Sequence, residues 1–489
     1  MQPVLRLLDE ALVERILDEA RDVLAISGVE IHNPEVLALL ADRGVAVDRA
    51  TRRARFGADV LEWARETAPG PFALYDVRGE RTHDFGSGAV HFAPGSSAIR
   101  LLDPQSGELR PPTSADYVRY AKLVAGLPHL AAQATAFIPA DVPPAVSDGY
   151  RLFLSLLYGE KPVVTGAFTA EAFAPMHAMQ VAVRGSESAL RAQPLTLFTC
   201  CPTSPLAWSA ATSQNLIDCA RAGVPVEIVA VPLAGFLSPV TLAGTLVQHT
   251  AENWSGLAIH QLAAPGAPVL WGSSAAIFDI RGETPAMGAM ETMMLACGAS
   301  EIGHCLGLPT QAYIALSDAK ALDAQAGAES AVGATLAALS GIDSVSGPGL
   351  LALDNGFSLE KLVLDDEGCG MAQRLRRGIA MEDDFPARAL FAELLREKHL
   401  LIADHTRRRL RAEIAFPGPV IDRSSEARWR EDGSPSLLSR AAHEVERRVS
   451  EWTPSRLPGA TIRELERLME STARQAGMES LPAREPCAA

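Results

Sequence analysis

The sequence predicts an α/β protein built around a TIM-type (β/α)8 barrel, with an N-terminal α+β region and helices at the C-terminus. Three observations favour this fold. From residue 113 to about residue 380, short continuous apolar segments alternate with helical segments, which indicates a parallel sheet buried on both faces. Seven strands are recognisable in this stretch, which suits a closed eight-stranded barrel better than an open sheet. No helix there begins with a glycine-rich nucleotide-binding motif.

The barrel strands are predicted from short apolar runs bounded by Gly, Pro, Asp and Ser. The helices between them are predicted from apolar positions at helical spacing. An eighth strand is expected but not assigned. The predicted strands are 131–137, 162–167, 195–200, 226–231, 269–273, 308–315 and 344–346. The predicted helices are 114–126, 145–158, 170–184, 208–222, 241–263, 286–305, 323–340 and 358–380.

The rest of the chain has a different character on each side of the barrel. Residues 5–26 carry apolar positions at helical spacing, and short segments between 72 and 103 resemble antiparallel strands. After residue 380 the chain is charged and helical, with a last helix at about 461–475. We therefore divide the chain into an N-terminal α+β region (1–112), a catalytic barrel (113–380) and a C-terminal helical extension (381–489).

Composition excludes several classes of partner. The chain has 489 residues and a net charge of −15, which disfavours nucleic acid because phosphate binding requires clustered Lys and Arg. No apolar run approaches the roughly 20 residues that span a membrane. The N-terminus carries no secretory signal, so we expect a cytoplasmic protein that does not bind membranes.

The cysteines are expected to be reduced and buried. Their number is odd and no CxxC pair occurs, which is typical of a cytosolic enzyme. The adjacent Cys200 and Cys201 could bind metal or act in redox chemistry, but neighbouring residues on a strand point to opposite faces. The cysteines are Cys200, Cys201, Cys219, Cys297, Cys305, Cys369 and Cys487.

The C-terminal ends of the predicted strands should form the active site, as they do in barrels of this type. These ends are rich in aromatic, Gly and small hydroxyl residues and poor in His, and they carry no metal-ligand triad. Aromatic faces attract a cation that has no hydrogen-bond donors, such as a quaternary ammonium. Phe168, Phe198 and Trp271 could line such a pocket or could simply fill the core. Trp271 is the best pocket candidate, because it is large and followed directly by Gly272.

The polar segment 317–327 joins a strand to a helix on this functional side. It offers Asp318, Lys320, Asp323 and Gln325 within eight residues. Asp323 could instead cap the helix that begins there, since its carboxylate can accept hydrogen bonds from free N–H groups. Asp318 and Lys320 could form a local ion pair or order the substrate loop.

Residues 308–327 resemble the trimethylamine methyltransferase family. The combination of segments makes the likeness specific, and it covers about residues 5–380. One segment departs: this chain has Glu-Thr-Pro-Ala at 283–286, where the family pattern has Gly-Ser-Pro-Glu, so substrate contacts of that loop are not carried over. The other matching segments are 92–95, Asp103, Gly107, 110–113, 204–206, 243–248, 251–252, 261–262, 265–268 and 359–379.

The resemblance implies an enzyme that transfers a methyl group from a methylated amine to the Co(I) of a corrinoid (cobalamin) carried by a separate protein. Members that act on trimethylamine use pyrrolysine, whereas every residue here is a standard amino acid. The chain therefore resembles the branch without pyrrolysine, whose substrates include quaternary amines and betaines such as glycine betaine. We expect a homo-oligomer that binds no metal itself. The position that replaces pyrrolysine is expected near 313–316.

No catalytic residue is assigned from the sequence. A different donor or acceptor (a sulfonium donor, a folate acceptor) and a non-catalytic betaine-binding protein remain as alternatives. A betaine carboxylate would need a donor such as Lys320, Gln325 or a hydroxyl. The candidate substrate-binding residues are Phe92, Phe168, Phe198, Trp271, Phe278, Tyr313, Asp318, Lys320 and Gln325.

Overall fold

The computed structural model describes residues 2–380 and 386–484, and its centre is a barrel of eight parallel strands. Each strand pairs with the next, and a bridge between Phe92 and Leu130 joins the first strand to the start of the second. The predicted fold is confirmed. The barrel strands are β1 (His91–Ala93), β2 (Gln133–Ala134), β3 (Val163–Thr165), β4 (Thr196–Cys200), β5 (Val226–Ala230), β6 (Val269–Ser273), β7 (Thr310–Tyr313) and β8 (Ser344–Ser346).

Helices connect these strands and cover the outside of the barrel. All but the short helix Glu187–Ala192, which was not predicted, lie close to their predicted positions, because an apolar stripe at helical spacing is a strong signal in sequence. The helices are α1 (Ser114–Ala125), α2 (Pro144–Tyr158), α3 (Phe173–Arg184), α4 (Glu187–Ala192), α5 (Ala210–Ala222), α6 (Leu242–Ala263), α7 (Met290–Cys305), α8 (Ala324–Ser340) and α9 (Leu359–Arg376).

The eighth strand, which sequence patterns left unassigned, is β1. It lies between β8 and the start of β2, and it comes from the segment predicted as the N-terminal region. Three residues are too few to show a period in the sequence, so this strand was not distinguishable from a hairpin. The boundaries of the three proposed regions remain predictions.

One end of the barrel is closed by the hairpin Phe72–Tyr75 with Arg81–Phe85. The side chains of Leu74 and Phe85 pack with Leu197 and Leu270 inside the barrel. The Tyr75 N–H donates to Pro194 O, and Pro194 precedes β4, so the hairpin covers the N-terminal ends of the strands. The opposite, C-terminal end is therefore the mouth.

The N-terminal region packs against the barrel as an α+β unit, as predicted. Its strand Val29–Ile31 pairs with Ala207–Trp208, a short strand in the loop after β4. Its first helix and its third helix both pack on α6. Its helices are Glu10–Asp22, Pro34–Asp42 and Ala58–Thr67, and the π-helical turn Val23–Ser27 follows the first of them. Its other strands are Ala46–Asp48, Arg53–Arg55, Arg100–Leu102 and Leu109–Arg110.

Helices also follow the barrel. Leu437–Ser450 packs on α1 and α9, and Gly459–Gln475 packs on α2 and α3, which confirms the predicted last helix. Within the described residues, none of the helices combines the length and the apolar character needed to cross a membrane. The other helices of this part are Arg388–Glu397, Asp404–Glu413 and Glu426–Glu431. Cys487, which was predicted to be reduced and buried, lies outside the described residues.

Candidate active site

Glu227 is the second residue of β5, and its side chain lies inside the barrel. Its direct neighbours in the sheet are Thr199 on β4 and Leu270 on β6. Leu270 packs with Leu197 in the barrel interior, and paired residues of adjacent strands share one face. Glu227 and Thr199 therefore also point inward.

The Glu227 carboxylate is only half satisfied. The Thr199 hydroxyl donates to Oε1 at 2.6 Å. Oε2 is buried and finds no hydrogen-bond partner in the described part of the chain. Burial raises the pKa of Glu227 to about 7, against a usual value of 4.5, because the charged form is poorly solvated there. A buried acceptor without a donor costs free energy, so it indicates a place for a ligand.

Tyr313 lies on the same inner face. Gly272 is two residues after the inward-facing Leu270 and therefore lies on the same face, and it pairs with Gln311. Tyr313 is two residues after Gln311, so it also faces inward. The Tyr313 hydroxyl and the Ser96 hydroxyl share a hydrogen bond of 2.7 Å. Burial, and after it the charge of Glu227, raises the pKa of Tyr313 well above its usual value. Tyr313 is therefore a neutral hydroxyl at physiological pH.

Two further polar groups of the interior have no partner in residues 2–380 and 386–484. They are the Gln311 Nε2 amide and the hydroxyl of Ser346, which pairs with Tyr313 in the sheet. Gln311 Oε1 accepts from the Ser273 N–H at 3.3 Å, so the side chain lies across Gly272. We call Thr199, Glu227, Gln311, Tyr313 and Ser346 the inner cluster.

The two adjacent cysteines face opposite ways, as strand geometry requires. Cys200 packs in the core outside the barrel wall, close to Cys219 on α5. Burial raises the pKa of the Cys201 thiol to about 12, so it is a neutral thiol and not a nucleophile at physiological pH. Among the described residues, no group of three or more His, Cys, Asp or Glu side chains could hold a metal ion.

Three of the predicted aromatic residues lie outside the barrel wall. Trp271 contacts the His249 ring on α6 and lies against Gly303 on α7. Phe198 packs edge-on against Phe173 of α3, with ring centroids 5.7 Å apart. Phe92 alternates with Ala93, which faces the interior, so Phe92 faces the outer core. These three residues fill the core, which was the alternative to lining a pocket, and the structure does not bring them to the mouth.

Two other predicted aromatic residues lie at the rim of the mouth. Phe168 is exposed and stacks over the Arg151 guanidinium at 5.4 Å. Phe278 stacks on the exposed Phe236, with centroids 4.7 Å apart. Tyr313 is the one predicted residue in the inner cluster.

The polar residues of segment 317–327 are used mainly by the protein itself. The Asp318 carboxylate accepts from the N–H groups of Met287 and Gly288 at 3.1 and 2.9 Å. Lys320 is exposed, and its Nζ donates to the Asp318 carbonyl oxygen and not to its carboxylate. Gln325 Nε2 donates to Glu329 Oε1. Asp323 caps α8, accepting from the Gln325 and Ala326 N–H groups, as the capping alternative proposed.

Sequence reasoning missed Glu227, Thr199, Gln311 and Ser346. The signal for Glu227 was present, since it is a lone carboxylate within the apolar strand Val226–Ala230. Such a residue in a strand buried on both faces must point either into the barrel or under a helix, and both are costly without a function. The other three are uncharged polar residues that sequence alone does not distinguish from ordinary core positions.

Comparison with known proteins identifies the family. The family model described as trimethylamine methyltransferase (MTTB) matches residues 1–477. The trimethylamine methyltransferase MttB of Desulfitobacterium hafniense (strain DSM 10664 / DCB-2) is 28% identical over 457 residues, which cover 94% of this chain and 92% of that protein. The glycine betaine methyltransferase of Desulfitobacterium hafniense (strain Y51) is 27% identical over 429 residues, covering 87% and 89%.

A solved structure agrees on the fold. The monomethylamine methyltransferase (MtmB) of Methanosarcina barkeri superposes with a TM-score of 0.53 at 10% identity, over 91% of this chain and 88% of that chain. At this identity the likeness concerns the fold alone. Together with the match over almost the whole length, the barrel and its polar interior lead to one conclusion: the chain is a methyltransferase that belongs to the trimethylamine methyltransferase family.

Proposed function

We propose that this enzyme transfers a methyl group from a quaternary ammonium substrate, a quaternary amine or a betaine such as glycine betaine, to the Co(I) of a corrinoid carried by a separate protein. The observation that carries this proposal is the unpartnered Oε2 of Glu227 inside the barrel. A buried carboxylate without a cationic partner is costly, and a bound ammonium cation would supply the missing charge. The relatives named for trimethylamine and glycine betaine also act on methylated nitrogen compounds.

The proposed reaction requires no general acid or base from this chain. When a quaternary nitrogen loses a methyl group, the leaving group is a neutral amine and needs no proton to depart. The corrinoid supplies a strong nucleophile for the methyl group. The residues of the chain then have to bind the cation, direct one methyl group towards the mouth and exclude water.

The inner cluster can perform these tasks. Glu227 supplies the negative charge, and a cation bound beside it would favour its ionised form. The Tyr313 ring supplies a face for the ammonium methyl groups, and the Ser96 hydroxyl fixes its orientation through their 2.7 Å hydrogen bond. Since the high pKa keeps Tyr313 neutral, it orients the substrate and does not donate a proton to it.

The rim of the mouth is suited to a protein partner. Large apolar side chains are exposed in loops that follow four different barrel strands, and exposed apolar residues grouped at one face indicate an interaction surface. A corrinoid protein seated there would bring its cofactor over the inner cluster. These side chains are Ile99, Phe168, Phe236, Val240 and Ile280.

The test is a methyl-transfer assay with a panel of donors. The purified protein is incubated with a reduced corrinoid protein and, in turn, tetramethylammonium, choline, glycine betaine, trimethylamine or dimethylsulfonioacetate. We expect a change in the corrinoid absorption spectrum and a demethylated product by mass spectrometry with at least one quaternary amine. A response to the sulfonium compound alone would establish the alternative donor. No transfer from any quaternary amine would contradict the proposal. The homo-oligomer and the cytoplasmic location stay predictions.

A further inference from the structure

A strained loop lies over the mouth of the barrel. Ala352, Leu353 and Asp354 are consecutive residues with φ values of 54°, 60° and 66°. This left-handed conformation is unfavourable for residues other than glycine, and such strain concentrates at functional sites. The loop joins Leu350–Leu351 to Gly356–Phe357, directly after β8.

The loop is held in place on two sides. On one side, the Ala352 N–H donates to Ala319 O at 2.8 Å. On the other side, the Ile99 N–H donates to the Asn355 carbonyl oxygen at 3.1 Å. These anchors belong to the loops after β7 and β1, so the loop spans part of the mouth. Asp354 is thereby fixed relative to Tyr313.

Asp354 brings a further incompletely satisfied carboxylate to the mouth of the barrel. Its Oδ1 is buried and has no hydrogen-bond partner in the part of the chain that the structure describes. Burial, and then the charge of Asp318, raises the pKa of Asp354 to about 7. The charges of Glu227 and Asp354 both raise the pKa of Tyr313, so both carboxylates act on the Tyr313 hydroxyl.

Among the described residues, no Lys or Arg balances the charge of Glu227 or of Asp354. The pKa of each carboxyl is raised, whereas a Lys or Arg in contact would lower it. The Nζ of Lys320 is used by the Asp318 carbonyl oxygen. Arg151 is buried and donates to Asp148 Oδ1 and to Thr135 O, at 2.7 and 3.0 Å. In the described part of the chain, Glu227 and Asp354 therefore both act on Tyr313 without a paired cation.

We propose that Asp354 is a specificity-determining residue, which makes this site select quaternary ammonium cations without a carboxylate over betaines. The inference rests on the proposed function and narrows its substrate class. A cation such as tetramethylammonium or choline balances the two carboxylates. A betaine brings its own carboxylate into contact with them, and like charges in a buried site repel strongly.

The test compares two probes by calorimetry, without the corrinoid protein: tetramethylammonium and glycine betaine. We expect the wild type to bind tetramethylammonium at least about tenfold more tightly than glycine betaine. Asp354→Asn should bring the two affinities closer together. Asp279→Asn, which removes a carboxylate that pairs with Arg281 at the rim, should leave their ratio unchanged. Equal or tighter binding of glycine betaine by the wild type, or an unchanged ratio in Asp354→Asn, would overturn the inference.

A second measurement does not depend on the folding of a variant. On the wild type, the preference for tetramethylammonium should grow between about pH 6 and about pH 8, as Glu227 and Asp354 ionise. A preference that stays constant over this range would also overturn the inference. An enzyme that demethylates glycine betaine best would contradict this narrowing alone, whereas one that demethylates no quaternary amine would contradict the proposed function itself.

Discussion

A carboxylate within a buried strand is among the most costly residues a barrel can carry. Glu227 is fully buried, with one oxygen satisfied by Thr199 and the other unpartnered. Its cost to the free enzyme and its value to the bound state have the same physical origin. Both follow from a charge that the protein does not neutralise.

Replacing Glu227 by Gln should weaken substrate binding and leave turnover comparatively intact. The charge interacts with the cationic substrate before transfer as well as during it, so its loss acts on KM more than on kcat. A loss of about 1.5–3 kcal/mol corresponds to an increase of KM by roughly 10- to 150-fold. Steady-state kinetics of the variant with the best quaternary amine checks this. A collapse of kcat at unchanged KM would show a different role.

The same substitution should stabilise the free protein at high pH. The folded-state pKa of Glu227 is about 7 against 4.5 in the unfolded chain, so the folded state binds the proton more tightly. Stability of the wild type therefore falls as pH rises from about 4.5 to about 7, and the loss persists above that. Urea unfolding should find Glu227→Gln more stable at pH 8, by about 3 kcal/mol, with little difference at pH 4.5. If the wild type and Glu227→Gln were equally stable at both pH values, the burial of an uncompensated Glu227 carboxylate would be contradicted.

At the scale of single elements, α8 positions the end of β7. Gly333 on α8 lies so close to the loop after Tyr313 that a Cβ there would meet the Ala315 N atom at 2.6 Å. Asp323 caps the start of α8, which fixes the helix relative to the same loop. The polar segment 317–327, which joins β7 to α8, thus helps to position Tyr313 more than it contacts the substrate directly.

Two glycines of α8 provide a matched pair of substitutions. Gly333→Ala should destabilise the protein by about 1–3 kcal/mol, because the clash is with backbone that has little room to move. Gly327→Ala meets nothing within 4 Å and should be neutral or stabilising by up to about 1 kcal/mol. Thermal and urea unfolding measure both. A similar response of the two variants would show that α8 does not pack tightly on the mouth.

Elements were predictable from sequence and the site largely was not. Helices such as α6 and strands such as β6 repeat an apolar pattern that burial imposes, so their positions follow from spacing. The inner cluster depends on which of two faces a strand residue takes, and in a strand buried on both faces the pattern carries no such signal. Trp271 is the clearest example, since its size suggested a pocket and its register places it under α7.

At the scale of the whole molecule, the proposed substrate site and the proposed docking surface occupy different parts of the barrel. The hairpin with Leu74 and Phe85 closes the N-terminal end, and the inner cluster lies between this closure and the mouth. The apolar rim around the mouth is then the surface through which a corrinoid protein would act. In the proposed function, substrate binding and partner docking therefore involve different residues of the same face.

This separation predicts a variant that loses docking and keeps binding. Phe236→Glu places a charge on the rim and should lower the rate of methyl transfer at subsaturating corrinoid protein, while the affinity for the ammonium substrate is unchanged. Ile26→Glu is a matched control, since Ile26 is 73% exposed and Phe236 is 62% exposed, but Ile26 lies in the N-terminal region. Equal effects of both variants on transfer would argue against docking at the rim.

The most direct measurement is calorimetric binding of tetramethylammonium near pH 6.5, in two buffers of different ionisation enthalpy. A cation bound beside Glu227 must favour its ionised form, so we predict a net release of protons on binding. In Glu227→Gln the affinity should fall and the proton release should become smaller, with Asp354 contributing what remains. Binding without proton release, and with equal affinity in the variant, would contradict the claim that this buried carboxylate receives the substrate cation.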